Sequence, residues 1–66
     1  MRYSYNKLWK LLIDKKMKKK DLEFAADIAS STMAKMSKEL PVSLDVLARI
    51  CKTMHVNIGD ILEIIY

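Results

Sequence analysis

The stretch ASSTMAKMSK, residues 29–38, carries hydroxyl and ammonium groups at a spacing that suits one side of a helix. At roughly 100° per residue, Met33 and Met36 face one direction while Ser31 and Lys35 face the other. A serine hydroxyl both donates and accepts hydrogen bonds, and lysine is a flexible cationic donor. This chemistry is non-covalent recognition of a polar surface. The methionine pair is far more typical of core packing than of a cofactor contact.

Catalytic and metal chemistry find little support in the composition. Among 66 residues there is one Cys and one His, too few for the three or four ligands of a zinc site. No nucleophile or carboxylate lies at a spacing from His55 that would indicate a catalytic pair. We therefore expect no enzyme activity, no cofactor and no metal. The lack of a leader sequence and of about 18 consecutive apolar residues predicts a cytoplasmic protein without membrane contact.

Positive charge is concentrated at the amino-terminal end of the chain. The net charge is +4, yet residues 1–20 hold eight basic groups against Asp14 alone, and residues 39–66 are net acidic. A local excess of this kind is typical of a surface that binds a polyanion. The alternative is a lysine-rich helix end that only meets solvent, and charge alone does not separate the two.

Hydrophobic periodicity predicts an all-α protein, a compact bundle of five helices. One Gly and one Pro leave almost no material for hairpin turns. The predicted helices cover residues 5–16, 18–26 and 30–37, a segment that follows the N-cap Ser43, and a short segment in which Asn57 and Asp60 form a capping box.

Two local features refine the helix assignment. Asp27 is predicted to be a left-handed turn residue between the second and third helices, because Asp tolerates that conformation better than most residues. The fourth helix is predicted to bury one apolar stripe, in which Cys51 is a structural thiol. The stripe consists of Leu44, Leu47, Ala48, Cys51 and Met54.

The final residues, ILEIIY, are too apolar to remain in solvent. Some must close the core, and the remainder would form an exposed patch of the kind that marks an oligomer interface. We assign to this dimer interface Ile58, Ile61, Ile64, Ile65 and Tyr66. Because these residues and the start MRYSY are β-branched and aromatic, the two ends of the chain are also predicted to pair as a short two-stranded ribbon.

A tight break between the second and third helices is the organisation of a helix-turn-helix domain, whose second helix lies in the DNA major groove. The run KMKKKDLEFAADIASSTMAKMSKELPVSLDVLARICKTMHVNIGDIL resembles the phage repressor and Cro family, also called the xenobiotic-response-element family. The resemblance is clearest in DLEFAADIASSTMAKM, PVSLDVLARICKTM and VNIGDIL. It implies a single lambda repressor-like domain over residues 1–66.

The resemblance also implies roles for individual positions. Residues 19–26 become the helix that braces against the DNA backbone, and residues 30–37 become the recognition helix. Expected base contacts come from Ser30, Ser31 and Lys35. From its side-chain chemistry, either Thr32 or Ala34 is also suited to meet a thymine methyl group. Expected phosphate contacts come from Lys18, Lys19, Lys20 and Lys38.

Several positions depart from the family pattern. The family often has Ala where this chain has Glu23, Gly where it has Asp27, and Ser where it has Ala29. Many members also pair an Arg with a Glu at the positions of Leu12 and Ser37. Because both partners are absent together, the departure leaves no unpaired charge.

The recognition face lacks forked side chains, which discriminate bases best. We expect modest direct readout, assisted by half-site spacing, water or DNA shape. The predicted function is a sequence-specific DNA-binding transcriptional regulator that acts as a homodimeric repressor on double-stranded DNA. The alternative is a protein-interaction module of the same fold, such as an antitoxin or antirepressor subunit. A basic domain on an anionic membrane surface is a weaker third reading, because the charges border a folded core.

Overall fold

The computed structural model describes residues 1–66. It contains four α-helices, with one short strand before them and one after them along the chain. In chain order the elements are β1 Arg2–Ser4, α1 Asn6–Asp14, α2 Lys19–Ala26, α3 Ser30–Ser37, α4 Leu44–Met54, a 3₁₀ turn at Ile58–Asp60, and β2 Glu63–Ile65. The predicted helical class and helix-turn-helix organisation are confirmed, and the predicted bounds of α3 agree with the structure.

The prediction of a fifth helix is wrong, since that segment forms a single 3₁₀ turn. The expected carboxylate cap is present, because the backbone N–H of Asn57 donates to Asp60 Oδ2 at 2.9 Å. However, the chain becomes extended again at Glu63 to pair with β1. Because Glu63–Ile65 form this strand, too few residues remain for a longer helix. The β-branched residues in this segment also favour a strand over a helix.

The predicted pairing of the chain ends is confirmed. Strands β1 and β2 are antiparallel, with Arg2 opposite Ile65 and Ser4 opposite Glu63. A two-stranded ribbon is marginal by itself, so it needs other contacts. Arg2 provides one, because its Nε and Nη2 atoms donate to the two carboxylate oxygens of Glu39 at 3.2 and 2.8 Å. The ribbon is thereby joined to the loop that follows α3.

The core lies between the helices and is almost entirely aliphatic and sulfur-containing. Met33 and Met36 are buried in it, as their spacing predicted. Its other buried side chains are Tyr5, Leu8, Leu12, Leu22, Ala26, Ile28, Val46, Leu47, Ile50, Met54 and Ile61. Ile61 was predicted to lie at a dimer interface, but it is fully buried in this cluster and cannot reach a partner.

The buried stripe of α4 agrees with the predicted one at Leu47 and Met54 and differs at its other positions. Val46, Leu47, Ile50 and Met54 face the core, whereas Leu44 is 71% exposed and Cys51 is only half-buried. Because α4 has apolar residues on more than one face, two stripes have nearly the same helical spacing. Packing against the rest of the domain, which includes α2 and the 3₁₀ turn, selects between them. Burial, followed by the charge of Asp60, raises the pKa of the Cys51 thiol.

Each helix is followed by a non-glycine residue in the left-handed conformation. These residues are Lys16, Asp27, Glu39 and His55, with φ between 56° and 60°. The prediction for Asp27 is therefore confirmed. In L-residues this conformation brings Cβ close to the following carbonyl oxygen, at a cost of roughly 1–2 kcal/mol. The remaining structure must outweigh that cost at four positions.

Lys16→Gly is expected to raise the free energy of unfolding by about 0.5–1 kcal/mol. Glycine removes the steric cost at φ 56° but loses more backbone entropy on folding, so the gain is partial. Lys15→Gly is the matched control, because Lys15 has φ −91° and gains nothing from glycine. Urea denaturation of both variants would measure the difference. Equal destabilisation by the two changes would contradict the left-handed assignment.

The Arg2–Glu39 pair predicts a small acid-dependent loss of stability. The hydrogen bond from Arg2 lowers the pKa of Glu39 below its ordinary value of 4.5. The unfolded chain therefore takes up this proton first, and the stabilisation present above pH 4.5 is lost as the pH falls through the lower, folded pKa. Because the pair is exposed, the effect is modest. Denaturation between pH 6 and pH 3 should show a shallower decline for Glu39→Gln than for Glu63→Gln.

Candidate nucleic-acid interface

The turn between α2 and α3 determines where the recognition helix lies. Asp27 has φ 56° and ψ 55°, and the backbone N–H of Ile28 donates to the carbonyl of Glu23 at 2.9 Å. Arg49 Nη1 of α4 donates to the carbonyl oxygen of Asp27 at 2.7 Å, and Arg49 is itself paired with Asp45. The turn is thus attached to α4, so α3 is held against the body of the domain.

Helix α3 has one buried and one exposed face. Met33 and Met36 anchor it in the core. The four residues predicted to contact bases all lie on its exposed side. These are Ser30, Ser31, Ala34 and Lys35. The structure therefore brings the four together on one solvent-facing surface, as a helix entering a groove requires.

No side chain caps the start of α3, because Ala29 occupies the N-cap position. Its carbonyl oxygen accepts hydrogen bonds from the backbone N–H groups of Thr32 and Met33. The earlier N–H groups of the first turn remain available to solvent or to an anion. Because Ala29 stands where the family often has Ser, the first backbone N–H groups of α3 have no side-chain cap.

The predicted phosphate contacts lie close together, where the beginning of α2 meets the end of α3. Lys18, Lys19 and Lys20 surround the beginning of α2, and Lys38 follows the end of α3. All four are exposed. Asp21 stabilises the first of these regions, because its Oδ2 atom accepts from the backbone N–H of Lys18 at 2.8 Å.

Lys19 differs from the other three lysines because its ammonium group is already engaged. Its Nζ atom lies 4.2 Å from the centroid of the Trp9 ring and donates to Ser37 Oγ at 2.9 Å. A cation over an indole face is attracted by the ring quadrupole. One side chain therefore connects α1, α2 and the end of α3. Sequence reasoning missed this contact because its three residues are far apart along the chain.

A second unpredicted contact lies at the other end of α3. Ser30 Oγ donates to Glu23 Oε1 at 2.8 Å. In the sequence, Glu23 was notable only as a departure from the family pattern. In the structure it contacts Ser30, one of the predicted base contacts. Glu23 is half-buried beside α3, whereas the predicted base and phosphate contacts are exposed.

Comparison with known proteins agrees with this geometry. The profile of the Cro/C1-type HTH DNA-binding domain matches residues 7–65. The chain belongs to the Cro/C1-type helix-turn-helix family. Among solved structures, the crystal structure of the transcriptional regulator VanUg is similar, with a TM-score of 0.91 and 53% sequence identity. The similarity covers 94% of this chain and 83% of that chain. No curated protein matches the sequence significantly.

Membership of the Cro/C1-type family makes this protein a DNA-binding transcriptional regulator, and the interface is that of a helix-turn-helix domain. No group of three or more His, Cys, Asp or Glu side chains is arranged to hold a metal ion. None of the helices is long and apolar enough to cross a membrane. The roles of individual residues at the interface remain predictions.

Trp9 provides a test of whether Lys19 moves to a phosphate. It is the single tryptophan of the chain and lies beneath the Lys19 ammonium. If Lys19 binds DNA, its ammonium leaves the ring and the fluorescence of Trp9 changes on titration with duplex DNA at low salt. Lys19→Met, which keeps the length but not the charge, should show little change at saturation. Unchanged emission from the wild-type protein under saturating DNA would mean that Lys19 stays on Trp9.

Proposed function

We propose that this Cro/C1-type protein is a homodimeric repressor that binds a palindromic operator sequence-specifically, with α3 in the major groove. The observation that carries the proposal is the arrangement of α3. Its small polar face is exposed, and the lysines that begin α2 and follow α3 lie together beside its carboxyl end. In this arrangement phosphate contacts position the helix, and α3 side chains contact the base edges.

The shape of the face supports a close approach to the groove floor. Ser31 and Ala34 are short, and Lys35 is the longest side chain among the four predicted base contacts. Lysine suits the acceptors of guanine, a serine hydroxyl suits either kind of group, and an alanine methyl suits thymine. None of these side chains makes a forked contact, so each base should contribute modestly. Two half-sites would then be needed for a useful preference.

The dimensions of the protein fit such a dimer. Its longest principal extent is 30 Å, close to the separation of about 34 Å between half-sites one helical turn apart. The proposed dimer surface retains Ile58, Ile64, Ile65 and Tyr66 from the sequence prediction. Tyr66 is fully exposed, Ile58 and Ile64 are about 40% exposed, and Ile65 is half-buried. Each strand of the ribbon also has one edge without a strand partner, which favours pairing with another chain.

Selection of bound sequences from a random pool of duplex DNA at near-physiological salt tests the proposal directly. We expect the purified protein to recover an inverted repeat with half-sites one turn apart. Tyr66→Ser and Ile64→Ser together should convert this to a single half-site, or abolish recovery, because the dimer is lost. Recovery of no preferred sequence, with binding that disappears as salt rises, would contradict the proposal.

The roles of the lysines can be separated from those of the α3 face by salt dependence. Lys18→Gln and Lys20→Gln should each reduce the slope of log K against log salt by about 0.9, because each phosphate contact releases condensed counterions. Lys52→Gln on α4 is a control with the same loss of charge, and it should leave the slope nearly unchanged. Ser31→Ala and Lys35→Gln should instead alter the preference among sites. If both sets behaved alike, the assigned division of roles would be wrong.

One observation favours a second candidate function, the protein-interaction module. Phe24 on the outer side of α2 is 93% exposed, and Leu44 is also largely exposed. Large apolar side chains that project from a small domain can mark a protein contact. A tight protein partner that is lost in Phe24→Ser, in a protein that selects no DNA sequence, would support this function over the repressor.

A further inference from the structure

We infer that Glu23 is a specificity-determining residue, which makes the hydroxyl of Ser30 read a hydrogen-bond donor on a DNA base. The inference rests on the proposed function, since it concerns how α3 reads its operator. It begins from one contact, the hydrogen bond of 2.8 Å from Ser30 Oγ to Glu23 Oε1.

The hydroxyl of serine has one proton and two lone pairs. A carboxylate can only accept, so the proton of Ser30 points to Glu23. Toward any other group, the hydroxyl oxygen of Ser30 can therefore only accept a hydrogen bond. A serine without such a neighbour can contact either a donor or an acceptor on a base.

The location of the pair makes this restriction relevant to DNA. Ser30 is the first residue of α3, and the N-terminal residues of a recognition helix are those that meet base edges. Glu23 reaches this point from the preceding helix and is half-buried there. A negative charge beside the start of α3 is also favoured by the helix dipole, which helps to retain the carboxylate in place.

The chemistry of the major groove then narrows the choice of base. Cytosine presents the N4 amino group and adenine presents the N6 amino group, and both donate. Guanine presents the acceptors N7 and O6 to an approaching side chain, and thymine presents O4. When its proton is held by the Glu23 carboxylate, the Ser30 hydroxyl can only accept, so it repels the acceptor atoms of guanine and thymine. Each base pair has one major-groove amino group, so Ser30 favours the orientation that places this group on the strand it contacts, with cytosine or adenine rather than guanine or thymine on that strand.

The two ends of α3 consequently read opposite chemistry. Lys35, five residues further along, can only donate, so it matches guanine. Ser30 with Glu23 can only accept, so it matches cytosine or adenine. A half-site with an amino-bearing base at one position and guanine nearby is the expected outcome. The carboxylate also opposes non-specific binding, because it brings negative charge close to the DNA.

The test compares the sequence preferences of four proteins, selected in parallel from the same random duplex pool. They are the wild type, Glu23→Ala, Ser30→Ala and the charge control Asp14→Asn, whose altered carboxylate lies at the end of α1. In the wild type, one position of each half-site should be enriched in cytosine or adenine by about fivefold, the value of one net hydrogen bond. Glu23→Ala and Ser30→Ala should flatten that position and retain the others. Asp14→Asn should leave the whole pattern unchanged.

Each alternative outcome has a distinct meaning. Enrichment by the wild type with an unchanged pattern in Glu23→Ala would overturn the inference and leave the proposed function standing. The same holds if the position that Ser30→Ala flattens does not, on either strand, favour cytosine and adenine together over guanine and thymine. Absence of any enrichment by the wild type would remove the proposed function and this inference with it. If Glu23→Ala unfolds, shown by loss of its thermal transition, Glu23→Gln is used. Its amide can donate to Ser30, so it should broaden the same position to accept guanine or thymine.

Discussion

The position of the recognition helix depends on one backbone reversal, the left-handed turn at Asp27. The turn redirects the chain between two helices that both contribute to the core, Leu22 and Ala26 before it and Met33 and Met36 after it. Arg49 then holds the carbonyl oxygen of Asp27 from α4. Since a buried face on each side of the turn is fixed by packing, the exposed face of α3 has a single orientation. The DNA-binding surface is therefore a consequence of how the core closes.

The electrostatic character of the surface arises from contacts between elements. Lys19 touches an aromatic ring of α1 and a hydroxyl of α3, and Glu23 touches the first residue of α3. The two contacts lie at opposite ends of the same helix and carry opposite charges. A positive group near the end of α3 and a negative group near its beginning both match the helix dipole. The charges that stabilise α3 thus also shape the potential that DNA meets.

Much of this arrangement could be predicted from the sequence because it depends on local pattern. The spacing of Met33 and Met36 gave the buried side of α3, and the residue type of Asp27 gave the turn. The errors occurred where a local pattern had two solutions. On α4 the stripe through Leu44 and the stripe through Val46 have similar spacing, and only packing against the other elements of the core distinguishes them.

Contacts between residues distant in the chain were beyond sequence reasoning altogether. Nothing in the spacing of Arg2 and Glu39 indicates that they pair, since 37 positions separate them. The same holds for Lys19 and Ser37, which meet because two helices cross. Ile61 was assigned to the dimer interface because the apolar spacing of the tail does not show which of its residues close the core, and its burial follows from the path of the chain into β2. Local patterns determine elements, whereas side-chain partners depend on tertiary packing.

The ribbon of β1 and β2 has a consequence for the order in which the domain forms. The α-helices and the turn at Asp27 close through contacts between near neighbours, whereas Ser4 meets Glu63 only after nearly the whole chain has been brought together. The entropy lost in closing so long a loop favours late formation of the ribbon. A chain that has formed α3 but not the ribbon already displays the face proposed to contact DNA. It still lacks the paired strand that contributes Ile64 and Ile65 to the proposed dimer surface. Only chains that have completed the fold would therefore form the dimer.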